Sequence, residues 1–232
     1  MNIKDAKVLV TGGSTGIGFE TARLLKSEGA EVTICARNKA DLDRACKELG
    51  VHGLQTDVAN EEQVIALVEY AIQQMNGLNV LINNAGIAYF ASLIKTEVVD
   101  FTKVWETNVK GAFLVGRECA KFFVKQQNGN IINIASTAGQ KGFASGSIYC
   151  STKFALSGLT ECWRAELRKD NIRVMQVNPS EVITPFMDKS GFEPTNISKK
   201  LKPTEIAHTI SSMLKMNDVG FITDVTVWAT NP

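Results

Sequence analysis

The sequence predicts a single α/β domain, a doubly wound parallel sheet with helices packed on both faces. Three patterns carry that prediction. Short apolar runs alternate with longer, helix-like segments from one end of the chain to the other, as in successive strand–helix–strand units. The strand-like runs are apolar at consecutive positions, so both faces of the sheet are covered. The first run passes through a cluster of glycines straight into a helix.

The elements follow in order. KVLV, residues 7–10, is the first strand, and IGFETARLLKSEG after it is an amphipathic helix stopped by Gly29. EVTIC, residues 31–35, is the second strand, and KADLDRACKELG is a helix that again ends on glycine. GLQTD gives a third strand and EEQVIALVEYAIQQM a third helix, with acids in its first turn where the helix dipole favours them. NVLIN is the fourth strand, residues 99–125 a long helix, and NIINIA, residues 130–135, the fifth strand. Residues 149–169 read as helix, RVMQVN as the sixth strand, 204–216 as helix and FITDVTVWA as the last strand. The irregular stretch 180–202 is long for a compact domain and reads as a lid over a site.

Composition narrows the function. A chain of 232 residues has room for one α/β domain with a sizeable core, and 44% hydrophobic residues is ordinary for a globular protein. The net charge of +1 gives no reason to expect nucleic acid or an anionic membrane as partner. Five cysteines, odd in number and without a CxxC pair, fit a reducing compartment and small core packing. Two separated histidines form no metal-ligand pattern, so no metal is expected. The start MNIKDAKVLV reads as no signal peptide, and no apolar run reaches membrane-spanning length. The expected location is the cytoplasm.

The glycine cluster TGGSTGIG, residues 11–18, sits between the first strand and the first helix. Glycines there permit a tight turn and close backbone approach to a pyrophosphate, and the helix start supplies free N–H groups. The spacing T-G-x-x-x-G-x-G differs from the G-x-G-x-x-G of ordinary dinucleotide-binding folds. A second unusual pattern is SIYCSTKFAL, which places Tyr149 one helical turn before Lys153. Taken alone, other residues allow two readings. Asp57 is a turn acid or a ligand contact, Ser136 a plain loop serine or a site residue. Asn83 and Asn84 serve turn chemistry or a site. Asn108 is a poor helix former inside a helix, which suggests a polar task.

Several of these motifs, in this order, resemble the short-chain dehydrogenases/reductases in their compact single-domain branch. The resemblance covers nearly the whole chain. TGGSTGIG is similar to that family's cofactor loop, TDV to its adenine-contacting segment, and NNAG, residues 83–86, to its strand-four signature. Asn108, Ser136, Tyr149 and Lys153 match its catalytic tetrad in order and spacing. The resemblance implies a Rossmann-type fold, with residues 1–232 forming one dinucleotide-binding catalytic domain and about 180–202 its substrate lid. It implies cofactor contacts at Gly12, Ser14, Thr15, Gly16, Ile17, Gly18, Arg37, Asp57 and Val58. Further along, Asn84, Ala85, Gly86, Tyr149, Lys153, Pro179, Val182 and Thr184 complete that set. The chain departs from the family pattern after the sixth strand, where NPSEVITP has Ser180 in place of glycine.

The chemistry that resemblance implies is carbonyl reduction, in which carbon takes a hydride and oxygen a proton. A phenol with an ordinary pKa near 10 is a poor match to neutral pH. At about 4 Å and an effective dielectric of about 20, a lysine ammonium stabilises the phenolate by roughly 4 kcal/mol. Lys153 is therefore expected to tune Tyr149, and in the family the lysine also holds the nicotinamide ribose. Asn108 would complete a proton relay, and Ser136 would hydrogen-bond the carbonyl oxygen. Substrate contacts are expected from Ser136, Tyr149, Phe143, Phe186 and Met187, with Phe192 another apolar candidate; each of the phenylalanines and Met187 equally suits core closure.

NADP(H) is the expected cofactor, with NAD(H) still possible. Where NAD enzymes end the second strand with an acid for the ribose hydroxyl, this chain has Ala36 followed by Arg37. An arginine there can grip a 2′-phosphate. Thr15 occupies the place where NADP-dependent relatives often carry a second basic residue. The substrate is expected to be a small or medium ketone or aldehyde. A 3-oxoacyl-(acyl-carrier-protein) reductase is the alternative, for which Lys121, Lys125, Arg168 and Lys169 offer positive charge. A non-catalytic NADP-binding sensor is a third reading, against which stands the presence of both Tyr149 and Lys153. A homodimer or homotetramer is expected from surplus apolar residues on the two long helices: Phe101, Trp105, Phe113, Phe122 and Phe123 on one, Phe154, Leu159, Trp163 and Leu167 on the other.

Overall fold

The computed structural model describes residues 1–186 and 196–231. Seven strands alternate with helices along the chain. They are β1 (Lys7–Thr11), β2 (Glu31–Ala36), β3 (His52–Gln55), β4 (Val80–Asn83), β5 (Gly129–Ile134), β6 (Ile172–Pro179) and β7 (Asp224–Val227). The helices are α1 (Gly16–Ser27), α2 (Lys39–Leu49), α3 (Glu61–Met75), α4 (Val98–Trp105), α5 (Ala112–Gln126), α6 (Ser147–Leu167) and α7 (Pro203–Lys215).

Local chemistry sets the helix ends. Asn38 and Asn60 cap α2 and α3, each accepting a hydrogen bond from a first-turn N–H. Gly50 and Asn76 close the same helices in the left-handed conformation.

The strands form one parallel sheet in the order β3-β2-β1-β4-β5-β6-β7. The period-two pleat of each strand divides the core into two layers. Val8 and Val10 of β1 pack with α1, α2 and α7, whereas Leu9 between them packs with α3, α5 and Trp163 of α6. Chain direction across the sheet reverses between β1 and β4, and ligands of open α/β sheets bind in the crevice beyond the strand carboxyl ends at such a point. No helix among the described residues is long and apolar enough to cross a membrane.

Two elements differ from the sequence expectation. The segment 99–125 is not one uniform α-helix: residues Glu106–Gly111 form a π-helical turn between α4 and α5. That wider turn contains Asn108, and such bulges are frequent at functional sites. The last strand is shorter than expected and lies at the sheet edge, where among the described residues it pairs with β6 from Gln176↔Asp224 to Pro179↔Val227. The stretch 180–202 is pinned at its neck by a bridge between Val182 and Leu201 and a 2.9 Å bond from Ile183 N to Leu201 O. Met187 and Phe192 lie outside the described residues.

Candidate active site

The glycine loop follows directly from β1. Gly12 and Gly16 have φ of 63° and 58°, a region that favours glycine. A Cβ on Gly18 would lie 2.4 Å from the Gly12 carbonyl oxygen, so the first turn of α1 sits directly against the loop. Thr15 precedes α1 in an extended conformation and provides no side-chain cap. The first N–H groups of α1 therefore remain open toward the loop. The NNAG run holds this cradle from the next strand. The Thr11 hydroxyl accepts from the backbone N–H groups of Asn84 and Ala85, both at 2.9 Å. The Asn84 amide donates to Thr11 O at 2.9 Å and Gly12 O at 3.2 Å.

The tetrad residues gather beyond β4 and β5. Ser136 follows β5 in an extended conformation, and its hydroxyl accepts from Ala138 N at 3.1 Å. Tyr149 and Lys153 stand one turn apart at the start of α6. The Ser136 hydroxyl donates to Pro179 O at 3.5 Å, and the Tyr149 phenol lines the same cleft wall as Ser136. Lys153 is buried; its ammonium donates to Ile134 O at 2.8 Å and lies 5.7 Å from the centre of the Tyr149 ring. Asn108 is also buried. Its amide pairs with the backbone of Ile87, accepting from the N–H and donating to the carbonyl, both at 2.8 Å. It also donates to Thr152 Oγ1 at 3.1 Å, and Thr152 donates in turn to Tyr149 O at 2.8 Å.

Burial dominates the electrostatics here. It pushes the Tyr149 phenol up to about 12. It pulls the Lys153 ammonium down to about 8. The expected tuning of the phenol by an adjacent ammonium is not what the resting protein has. The ammonium is engaged by the Ile134 carbonyl, and burial raises the pKa of the phenol. Tyr149 is accordingly a firmly protonated phenol at neutral pH, the form from which a proton can be given.

Most of the cradle and three of the tetrad residues line one cleft of about 760 Å³. Gly12, Ser14, Thr15, Gly16 and Ile17 line one part of it, with Asn84, Ala85 and Gly86 beside them. Ser136, Tyr149, Lys153, Pro179, Val182, Thr184, Phe143 and Phe186 line the remainder. Gly18, Asn108, Arg37, Asp57 and Val58 do not line it. Arg37 is exposed immediately after β2. The Asp57 carboxylate accepts from Ala59 N at 3.0 Å, the turn role that its residue type allows. Val58 is buried, its side chain occupying the space a Cβ on Gly111 of the π-turn would need.

Sequence reasoning missed Phe90, Trp228, Glu181 and Lys200, all of which line the cleft. Phe90 lies seven residues past the end of β4, on the carboxyl side of the sheet, and that position was its only signal. Trp228 was read as part of the last strand; it falls one residue beyond β7.

The glycine cradle, the open helix start and the adjoining polar cluster fit a dinucleotide laid across the strand ends. The sequence profile described as short chain dehydrogenase matches residues 6–194. An uncharacterized oxidoreductase of Staphylococcus aureus (strain USA300) is 32% identical over 228 residues, covering 97% of both chains. The chain is similar in structure to a 3-ketoacyl-(acyl-carrier-protein) reductase from Brucella melitensis solved with NADH, with a TM-score of 0.90, 26% identity and coverage of 96% of each chain. It is also similar to an actinorhodin polyketide ketoreductase solved with NADPH, with a TM-score of 0.88, 29% identity and coverage of 99% of this chain and 98% of that one. The protein belongs to the short-chain dehydrogenase family and is an oxidoreductase.

Proposed function

We propose that the protein is an NADPH-dependent carbonyl reductase that converts a ketone or aldehyde to an alcohol. The observation that carries this reading is Tyr149, one turn from Lys153, sharing with Ser136 the cleft that also holds the glycine cradle. When bound, NADPH supplies the hydride. The cradle residues Gly12, Ser14, Thr15, Gly16, Ile17 and Gly18 would hold its phosphates on the start of α1. Asp57, Val58 and the Asn84–Gly86 backbone would flank the adenosine side, and Pro179, Val182 and Thr184 the nicotinamide side.

In this mechanism Tyr149 gives its phenolic proton to the substrate oxygen. Ser136 hydrogen-bonds the same oxygen and stabilises the charge developing there. Lys153 holds the cofactor ribose and its positive charge favours the phenolate left behind. Asn108 fixes Ile87 and, through Thr152, the start of α6.

Arg37 supports NADPH over NADH. No acid ends β2 to accept from a ribose hydroxyl or repel a 2′-phosphate, and the exposed guanidinium stands next in sequence. The structural relatives have been solved with both cofactors, and NADH remains an acceptable substitute in this reading.

A reading as 3-oxoacyl-carrier reductase is favoured by the likeness to the Brucella enzyme and by the exposed Lys121, Lys125, Arg168 and Lys169. A protein that only senses the cofactor has no use for Ser136, Tyr149 and Lys153 together. The test is NADPH oxidation followed optically with a panel of ketones and aldehydes and an acetoacetyl-carrier substrate. Turnover of free ketones supports the main reading; turnover of the carrier substrate alone favours the second. Cofactor binding without any turnover overturns both.

The protein also acts as an oligomer in this account. A groove of about 430 Å³ is lined by Phe101, Trp105, Phe113 and Leu159, with Phe101 and Trp105 stacked at 5.7 Å. Phe154 is exposed as well. Phe123 and Trp163, expected on the same docking faces, belong instead to the core. A second copy of the chain is the proposed occupant of this face, and the cytoplasm the proposed location.

A further inference from the structure

We infer that the substrate end of the cleft is built for a flat, uncharged ketone whose carbonyl is attached to a ring. This inference rests on the carbonyl-reductase reading and names its substrate class. Aromatic rings from separate parts of the chain surround the Tyr149 phenol. Phe90, in the loop after β4, meets Tyr149 edge-on at 5.6 Å and 77°. Phe143, in the loop before α6, lies 5.8 Å from Phe90. Phe186, beyond β6, lies 5.9 Å from Tyr149 on another side. These separations lie in the range where aromatic rings attract each other through their edges and faces.

The rings do not close into a core. Phe143 is 52% exposed and Trp228, lining the cleft beyond β7, is 63% exposed. Large aromatic faces turned into a cleft leave water when a ligand enters, and a flat ring covers them more completely than a flexible chain does. A ring also loses less rotational freedom on binding than a straight chain. Among the rings, Ser136 and Tyr149 are the groups this reading assigns to the substrate oxygen, which suits a ligand with its polar atom at one end. On the cleft wall the Lys200 ammonium is held 2.5 Å from the Glu181 carboxylate. Those two charges engage each other, and the Lys141 side chain, also on the lining, is exposed to water.

The test compares acetophenone with 2-octanone, methyl ketones of equal carbon count. The straight-chain ketone is the more hydrophobic, so simple partition favours it. Binding is measured by calorimetry on protein saturated with NADP⁺, where no reduction is possible, and kcat/KM is measured separately with NADPH. Acetophenone is expected to bind at least about tenfold more tightly and to show a similar advantage in kcat/KM. Phe90→Leu, which keeps apolar volume and removes the ring, is expected to reduce that ratio to about threefold or less. Trp228→Leu, at an exposed site, provides the second variant if the first does not fold. Equal or weaker binding of acetophenone, no binding of either ketone, or a ratio unchanged in the variants overturns the inference. Preferential binding without turnover leaves the ring site standing and removes the reductase reading; turnover without preference does the reverse.

Discussion

Asn108→Ala tests how the π-turn supports the site. The amide makes three hydrogen bonds: one accepted from Ile87 N, one donated to Ile87 O and one donated to Thr152 Oγ1. Asn108 is 2% exposed, so water does not readily replace them. A stranded buried polar group costs about 1–3 kcal/mol. With partial relaxation of the Ile87 loop, the expected loss is about 2–4 kcal/mol. For a chain of this size that lowers the melting temperature by roughly 5–12 °C. Asn108→Asp sharpens the test. It retains the acceptor for Ile87 N, but its carboxylate would face the Ile87 carbonyl in a buried place. Both effects raise its folded pKa above the unfolded value. The folded state then holds the extra proton, so stability is greatest in acid and is lost as pH rises toward the folded pKa. Thermal melts followed by circular dichroism at pH 5 and pH 8 measure both variants against the parent. An alanine variant within 2 °C of the parent, or an aspartate variant that fares better at pH 8, refutes the reasoning.

Three further outcomes are expected. Lys153 has a folded pKa of about 8 against an ordinary 10.5, because burial penalises its charge. Below the folded value both states are protonated and that penalty is full; it fades between the two values, where the unfolded chain binds more protons and stability rises with pH. Without cofactor, the stability of Lys153→Met relative to the parent should therefore fall by about 3 kcal/mol between pH 7 and pH 10.5; urea unfolding that shows a constant difference contradicts this. Arg37→Ala should reduce the NADPH-over-NADH ratio of kcat/KM by about tenfold to hundredfold, the worth of a lost charge-assisted hydrogen bond; an unchanged ratio removes Arg37 from cofactor choice. Phe113→Glu, on the exposed apolar face, should convert a dimer or tetramer to a smaller species by light scattering, and a parent that is already monomeric at micromolar concentration refutes the docking face.

The layered fold was legible because the central strands carry contiguous apolar runs, as in β1 and β4, and the helices periodic ones. The cradle was legible because Gly12, Gly16 and Gly18 answer local needs of backbone conformation and close approach. The spacing of Tyr149 and Lys153 fixed their common helical face, but not the depth at which they sit. Sequence therefore suggested a charge effect on the phenol where burial proved larger. The π-turn was hidden because its residues carry ordinary helical periodicity, and only the Asn108 amide pairing with Ile87 gives it purpose. Phe90 and Trp228 escaped because their roles come from loops brought together by the strand order. Asn83, for which turn chemistry and a site were both open, is buried and donates to Ala112 O and Asn133 Oδ1.

The central claim is that Tyr149 gives the proton. Tyr149→Phe removes one hydroxyl and leaves the ring packed against Phe90 and Phe186. The measurement is kcat for ketone reduction in this variant beside its dissociation constant for NADPH. The account predicts a fall in kcat of about 10²–10⁴-fold, the range of general acid catalysis, with NADPH affinity within about threefold of the parent, the change expected when no strong hydrogen bond to the cofactor is lost. Turnover within tenfold of the parent contradicts it.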